Sequence, residues 1–191
     1  MSFEQIILAA TIFFALHASG ALPKIVSRLT GGRPLPRAAN QNRREVYEGT
    51  PRIVDGDTVV LNGRRVRLVY IDAPELGQPT QHPLFDGESQ DAGAIAKAAL
   101  VKMIGTRTVT ATVVGKDRYD RDVARLSVPR GDKAYNLGYN LVYFGFAMSS
   151  CDAPQAYKDA ERDARRQRRG LWGQGGFADP ASHRRQYAKA A

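Results

Sequence analysis

The stretch Thr58-Val-Val-Leu-Asn62-Gly63-Arg-Arg-Val-Arg67-Leu-Val-Tyr70-Ile-Asp72-Ala-Pro-Glu75 decides the fold class. Asn62-Gly63 separates two runs rich in β-branched residues, and this dipeptide suits the positive φ angles of a two-residue hairpin turn. Alternation along the second run predicts Val66, Leu68 and Tyr70 on one face and Arg67 on the other. Upstream, Arg52-Ile-Val54 reads as a strand that reaches the hairpin through Asp55-Gly-Asp57. Downstream, Thr108–Val114 and Val123–Val128 read as two more. Helical spacing runs over Glu88–Ile104, over a short segment from Asn136 to Phe144 that contains Gly138, and over Pro154–Arg169. Proline near the start and Gly170 just past the end match common helix boundaries. Tyr157, Ala160, Ala164 and Leu171 share one side of that region. Strands first and helices after, joined by short hairpins, predict an α+β domain: a small, mainly β barrel with packed helices.

Around this domain the composition changes. Ile6–Leu16 is an unbroken apolar run of a length suited to a signal-peptide core, with small residues at Ala18-Ser-Gly-Ala21 near a cleavage point. Extended from Phe3 to Ile25, the same segment is long enough to anchor in a bilayer. Residues 1–27 are therefore read as a signal peptide or membrane anchor, and both fates stay open. The protein is expected to be secreted or periplasmic in one case and membrane-anchored in the other. Residues 28–45, rich in glycine, proline and arginine, read as a flexible basic linker. The folded domain is expected over 46–173, and 174–191 as a flexible basic tail.

The 191 residues carry 28 Lys and Arg against 19 Asp and Glu, a net charge of +9. A basic surface concentrates polyanions, so nucleic acid or anionic lipid is the expected partner. The single cysteine, Cys151, excludes an intrachain disulfide and a cysteine-based zinc site. Three scattered histidines argue against a histidine metal centre. A bound metal would be held by oxygen, which favours calcium, magnesium or manganese. Asp57, Asp72 and Glu75, together with Arg67 and Arg121, form an inventory suited to phosphodiester hydrolysis. Negative charge accumulating on phosphate oxygens needs a cation and guanidinium forks to stabilise it. Arg67 also has a competing reading as a cross-strand ion pair, and Asp55 and Asp117 are read as mainly structural.

Taken in order, Asp55-Gly-Asp57-Thr58, Arg67-Leu-x-x-Ile-Asp72-x-Pro-Glu75, Asp117-x-Tyr119-x-Arg121 and Arg169-Gly-Leu-Trp172 resemble the staphylococcal nuclease-like (thermonuclease) family. The resemblance spans Val46 to Trp172. It implies an OB-fold, a five-stranded barrel with about three helices. It also implies a calcium-dependent nuclease that hydrolyses DNA, and RNA as a second substrate class, with little sequence specificity. On the matching positions, Asp57 and Asp72 bind Ca2+ with the main-chain carbonyl of Ala73. Glu75 is the general base, Arg67 and Arg121 grip the scissile phosphate, and Arg118 and Tyr119 contact a terminal phosphate. Ala73 stands where the best-known member has threonine, which leaves a backbone ligand intact. Ser149-Ser-Cys151-Asp-Ala-Pro154 stands where that member has tyrosines near the base, so a different substrate preference is expected. The alternative is a non-catalytic nucleic-acid-binding OB module; such relatives lack these acids and arginines. No pattern demands a protein partner, and a monomer is expected.

Overall fold

The computed structural model describes residues 44–81 and 89–190. Segment 1–27 and linker residues 28–43 lie outside them, as do His82 and Glu88. Among the described residues no helix is long and apolar enough to cross a membrane.

The chain opens with β1 (Val46–Gly49), β2 (Arg52–Ile53), β3 (Thr58–Leu61), β4 (Arg64–Leu68) and β5 (Ile71–Asp72). Asn62 and Gly63 take φ angles of 51° and 78°, the mirror-image turn whose twist matches a hairpin. Val66 and Leu68 are buried as expected. The alternation stops there, because Tyr70 adopts φ 70° and turns the chain out of β4 and toward β5.

α1 (Ala92–Ile104) begins later than the helix expected from Glu88. The Asp91 side chain accepts a hydrogen bond from the Ala94 N–H, the N-cap geometry that satisfies an otherwise unpaired donor. β6 (Val109–Lys116), β7 (Asp122–Arg130) and β8 (Lys133–Asn136) follow, then α2 (Leu137–Tyr143). Asn136 caps α2 through the Tyr139 N–H, and Gly138 is accommodated within it. β9 (Met148–Ser149) leads to α3 (Gln155–Arg166). α3 ends short of the expected Arg169, since Arg168 turns to φ 51° and a 3-10 turn occupies Gly170–Gln174.

The main sheet has seven strands: six in the order β1-β6-β7-β4-β3-β2, and β8, which pairs with the later part of β7. It curls into a half-barrel on which the helices pack, an OB-fold-like α+β architecture. β5 and β9 form a separate two-stranded ribbon. The five strands and three helices expected thus become finer-grained, and a fourth helix, α4 (Pro180–Ala190), is added. All sheet pairings are antiparallel except β4 with β7. The core joins Val59, Leu61, Val66 and Leu68 of the hairpin to Leu100 of α1, Leu126 of β7 and Leu141 of α2. Truncating one such leucine to alanine costs about 2–5 kcal/mol, so the hairpin bearing the candidate residues is held as firmly as the fold itself.

The segment expected to be a solvated tail is partly packed. Phe177 is only 2% exposed and stacks on Trp172 with ring centroids 4.8 Å apart. An aromatic side chain has enough apolar surface to hold a glycine-rich segment against the domain.

Candidate active site

Backbone pairing brings the candidate residues to one cavity. Asp57 ends the turn before β3, and its side chain is fixed by three donors: Thr58 Oγ1 at 3.0 Å, the Ala73 N–H at 3.1 Å and Arg67 Nη1 at 2.9 Å. Asp55 shapes that turn by accepting the Asp57 N–H at 3.0 Å, the structural role expected of it. At Gly56 an added Cβ would lie 2.7 Å from the Ala73 Cβ, so glycine lets the turn close on Ala73, just past β5. β5 carries Asp72, which pairs with Met148 of β9.

Arg67 sits in β4 opposite Thr58 of β3 and beside Val123 of β7. The parallel β4–β7 register places Arg121, two residues before Val123, on the same side as Arg67. Arg67 sends Nη1 to Asp57 Oδ1 at 2.9 Å and Nη2 to Asp72 Oδ1 at 2.6 Å. The two carboxylates therefore converge on the two nitrogens of one guanidinium. This geometry is an ion pair, the competing reading of Arg67.

Glu75 is held through its backbone. Its N–H donates to Gln78 Oε1 at 3.0 Å, and its carbonyl accepts the Gln78 N–H at 2.9 Å. Gln78 is fully buried. At Gly93, in the first turn of α1, an added Cβ would lie 2.0 Å from the Glu75 carbonyl oxygen. Only glycine admits so close an approach, and it locks the Glu75 loop against the helix.

The opposite wall is the loop between β6 and β7. Asp117 accepts the Tyr119 and Arg121 N–H groups at 2.9 and 3.0 Å and Arg121 Nε at 2.7 Å. It organises this loop, as expected. The Tyr119 ring is 65% exposed and carries the Arg118 guanidinium 4.8 Å from its centroid and that of Arg121 at 5.5 Å.

Asp57, Arg67, Asp72, Glu75, Arg118, Tyr119 and Arg121 all line a single cavity of about 890 Å³. Ala73 does not line it; it is 3% exposed and reaches the site through its N–H to Asp57. Ser149, Ser150, Cys151 and Asp152 form part of the rim, giving that edge hydroxyl, thiol and carboxylate groups in place of aromatic rings.

The sequence reading missed Arg184, from α4. Its Nη1 lies 3.1 Å from Asp72 Oδ1 and 2.6 Å from Glu75 Oε1, and its Nη2 lies 2.9 Å from Asp72 Oδ2. The local signal was Asp179-Pro180, an N-cap residue before a proline at the first helical position. Asp179 accepts the Ser182 N–H and hydroxyl at 3.1 and 2.7 Å and the Ala181 N–H at 3.2 Å.

The electrostatics follow from burial. Loss of water pushes the Asp57 carboxyl above the usual carboxylate range, Arg67 opposes this, and Asp55 and Asp72 add to the rise. Burial works against the charge on Arg67, but Asp57 and Asp72 outweigh it and hold its pKa up. Hydrogen bonds to Asp72 and then Glu75 likewise raise that of Arg184 despite some burial.

No group of three or more Asp, Glu, His or Cys side chains among the described residues makes a metal cage by itself. The donor chemistry nonetheless fits a hard divalent cation. Two carboxylates meet at a point already matched by positive nitrogen, and such ions accept water and carbonyl oxygen to complete their shell.

The family described as staphylococcal nuclease homologue matches residues 65–174. A micrococcal nuclease of Shigella flexneri is 36% identical over 149 residues, covering 70% of this chain and 78% of that protein. An uncharacterized endonuclease of Escherichia coli is 30% identical over 142 residues, 71% of this chain and 81% of its own. Another uncharacterized endonuclease, of Haemophilus influenzae, is 28% identical over 142 residues, 71% of each chain.

Proposed function

The chain belongs to the staphylococcal nuclease homologue family, and from that premise we propose that it is a metal-dependent endonuclease, with Ca2+ as its ion and DNA or RNA as its substrate. The observation that carries this reading is the convergence of Asp57 and Asp72 on one guanidinium, with Glu75 and Arg121 lining the same cavity.

Asp57, Asp72 and the carbonyl of Ala73 would hold the cation. When bound, it polarises a phosphate oxygen and neutralises charge that would otherwise repel the polyanion. Arg67 and Arg121 present planar forks that can each bind two phosphate oxygens, so they grip the ester and stabilise the charge that builds up as water adds. Arg67 is already set by its β-strand neighbours, whereas Arg121 is held by Asp117 at the edge of β7. Glu75 orients the attacking water and accepts its proton; its backbone clamps keep the carboxylate on the side of the cavity facing the phosphate. Arg118 and Tyr119, on the open loop, bind the adjoining phosphate. Net charge of +9 draws in nucleic acid without regard to sequence.

The test is cleavage of single- and double-stranded DNA and RNA by the purified chain, with CaCl2 or with excess chelator. Strand scission with metal that disappears with chelator and in Glu75→Gln supports the enzyme. Tight binding without scission in either condition overturns it in favour of a binding module.

A further inference from the structure

Helix α4 lies beyond the residues matched by the family model, which end at 174, yet it delivers a cationic side chain into the centre of the acid cluster. The approach to α4 is stapled to the segment that follows Glu75. Gln78 Nε2 donates to the Ala178 carbonyl at 2.7 Å, the Gln81 N–H donates to the Gly176 carbonyl at 2.8 Å, and Phe177 is buried. Asp179 then caps the helix. These contacts fix where α4 begins, and Arg184 falls one turn further on, above Asp72.

The geometry at Asp72 is crowded. Oδ1 accepts from both Arg67 Nη2 at 2.6 Å and Arg184 Nη1 at 3.1 Å; Oδ2 accepts Arg184 Nη2 at 2.9 Å. Two donors fill the lone pairs of Oδ1. The same Arg184 nitrogen that bonds Oδ1 also reaches Glu75 Oε1 at 2.6 Å. A guanidinium placed this way and a divalent cation on Asp72 would share the same oxygen and repel each other. Arg67 differs in that it contributes one nitrogen to each acid and bonds only Oδ1 of Asp72, whereas Arg184 takes both oxygens of Asp72. Arg184 is also the more accessible of the two: its side chain is 42% exposed, against 21% for Arg67.

We propose that Arg184 is a tethered counter-ion that sets how tightly this site takes its divalent cation: docked on Asp72 and Glu75 it holds the ion off, and ion binding moves α4 aside. The inference rests on the metal-dependent reading given above. Linkage makes the effect reciprocal: docked Arg184 weakens the ion by the same factor by which the bound ion weakens the docking, so loss of the docking tightens the ion. The docked arginine also engages Glu75, so a cation-free site has its base paired and inactive. Loss of α4 from the cavity frees both carboxylates together.

The test is a calorimetric titration of the full chain with CaCl2, comparing wild type, Arg184→Ala, Arg184→Gln and Arg162→Ala. Arg162, on α3, is 71% exposed and bonded to Asp159, away from the cavity, and controls for loss of one positive charge. The expected result is Ca2+ binding about tenfold tighter in both Arg184 variants, inside the range usual for coupled sites, and close to wild type in Arg162→Ala. Hydrogen exchange should also show the amides of residues 181–186 exchanging faster in wild type once Ca2+ is added. Equal affinity in wild type and the Arg184 variants, or weaker binding in the variants, overturns the competition while leaving the metal-dependent reading intact. Absence of Ca2+ binding in every chain overturns both. Circular dichroism of Arg184→Gln, which keeps a long polar side chain, separates a lost helix from a lost contact.

Discussion

On one wall of the cavity Asp57 is 4% exposed and is fixed by a hydroxyl, a main-chain N–H and a guanidinium; on the other Tyr119 is 65% exposed, with the Arg118 and Arg121 guanidinium groups against its ring. The first wall is built from paired strands whose apolar faces form the core, so its acids inherit the rigidity of the fold. The second is a loop organised by a single carboxylate, Asp117. The difference suits the two tasks. A cation is stabilised only by oxygens held at fixed positions, while a polymer of varied sequence and shape needs donors that can adjust.

If the rigid wall does the chemistry, damage there should be far more costly than damage to the loop. The largest expected effect is in Arg67→Lys, which keeps the charge but loses the fork. By the scale of arginine contacts in phosphoryl transfer, turnover should fall about a thousandfold, measured by steady-state cleavage; a loss below tenfold would reduce Arg67 to an ion-pair partner. Next comes Gly93→Ala, whose Cβ would meet the Glu75 carbonyl at 2.0 Å. Overpacking of this kind costs about 1–3 kcal/mol, read from the urea midpoint, and activity should fall with it. An unchanged midpoint would mean that the Glu75 loop is not clamped.

On the loop side the effects should be smaller. Tyr119→Ala should raise KM about tenfold, the scale of one hydrogen bond to a charged group, with kcat nearly held. A fall in kcat to match that of Arg67→Lys would erase the contrast between the walls. The smallest effect concerns acid stability. Burial alone would raise the pKa of Asp117, but the Arg121 side chain and two N–H groups outweigh it and leave it below the ordinary aspartate range. Its contribution is therefore complete above about pH 4, where a free aspartate is ionised, and is lost as pH falls through the lower folded value. Acid titration of stability should show wild type losing slightly more than Asp117→Asn below that point; parallel curves would remove Asp117 as the loop's organiser.

The residues of both walls were largely legible from sequence, whereas the long-range contacts that bring them together were not, for a physical reason. Asn62-Gly63 specifies its own turn, and the spacing from Arg67 to Glu75 is local to one hairpin and its exit. The parallel pairing of β4 with β7, which puts Arg121 on the same side as Arg67, joins segments more than fifty residues apart and leaves no local trace. Arg184 meets Asp72 across a separation of 112 residues. Glycine and basic residues around Phe177 read as a solvated tail, because the buried surface of a single aromatic ring does not register in a polar composition. Tyr70 shows the converse limit: a positive φ that no pattern announces ends the strand at it, although the residue still packs against the core as alternation predicts.

The most direct measurement is anomalous diffraction from crystals of the full chain soaked in MnCl2, with manganese standing in for the proposed ion. The account expects one strong peak between the Asp57 and Asp72 carboxylates, with Arg184 displaced from both Asp72 and Glu75. A peak elsewhere, or none with Arg184 still forked on Asp72, would contradict it.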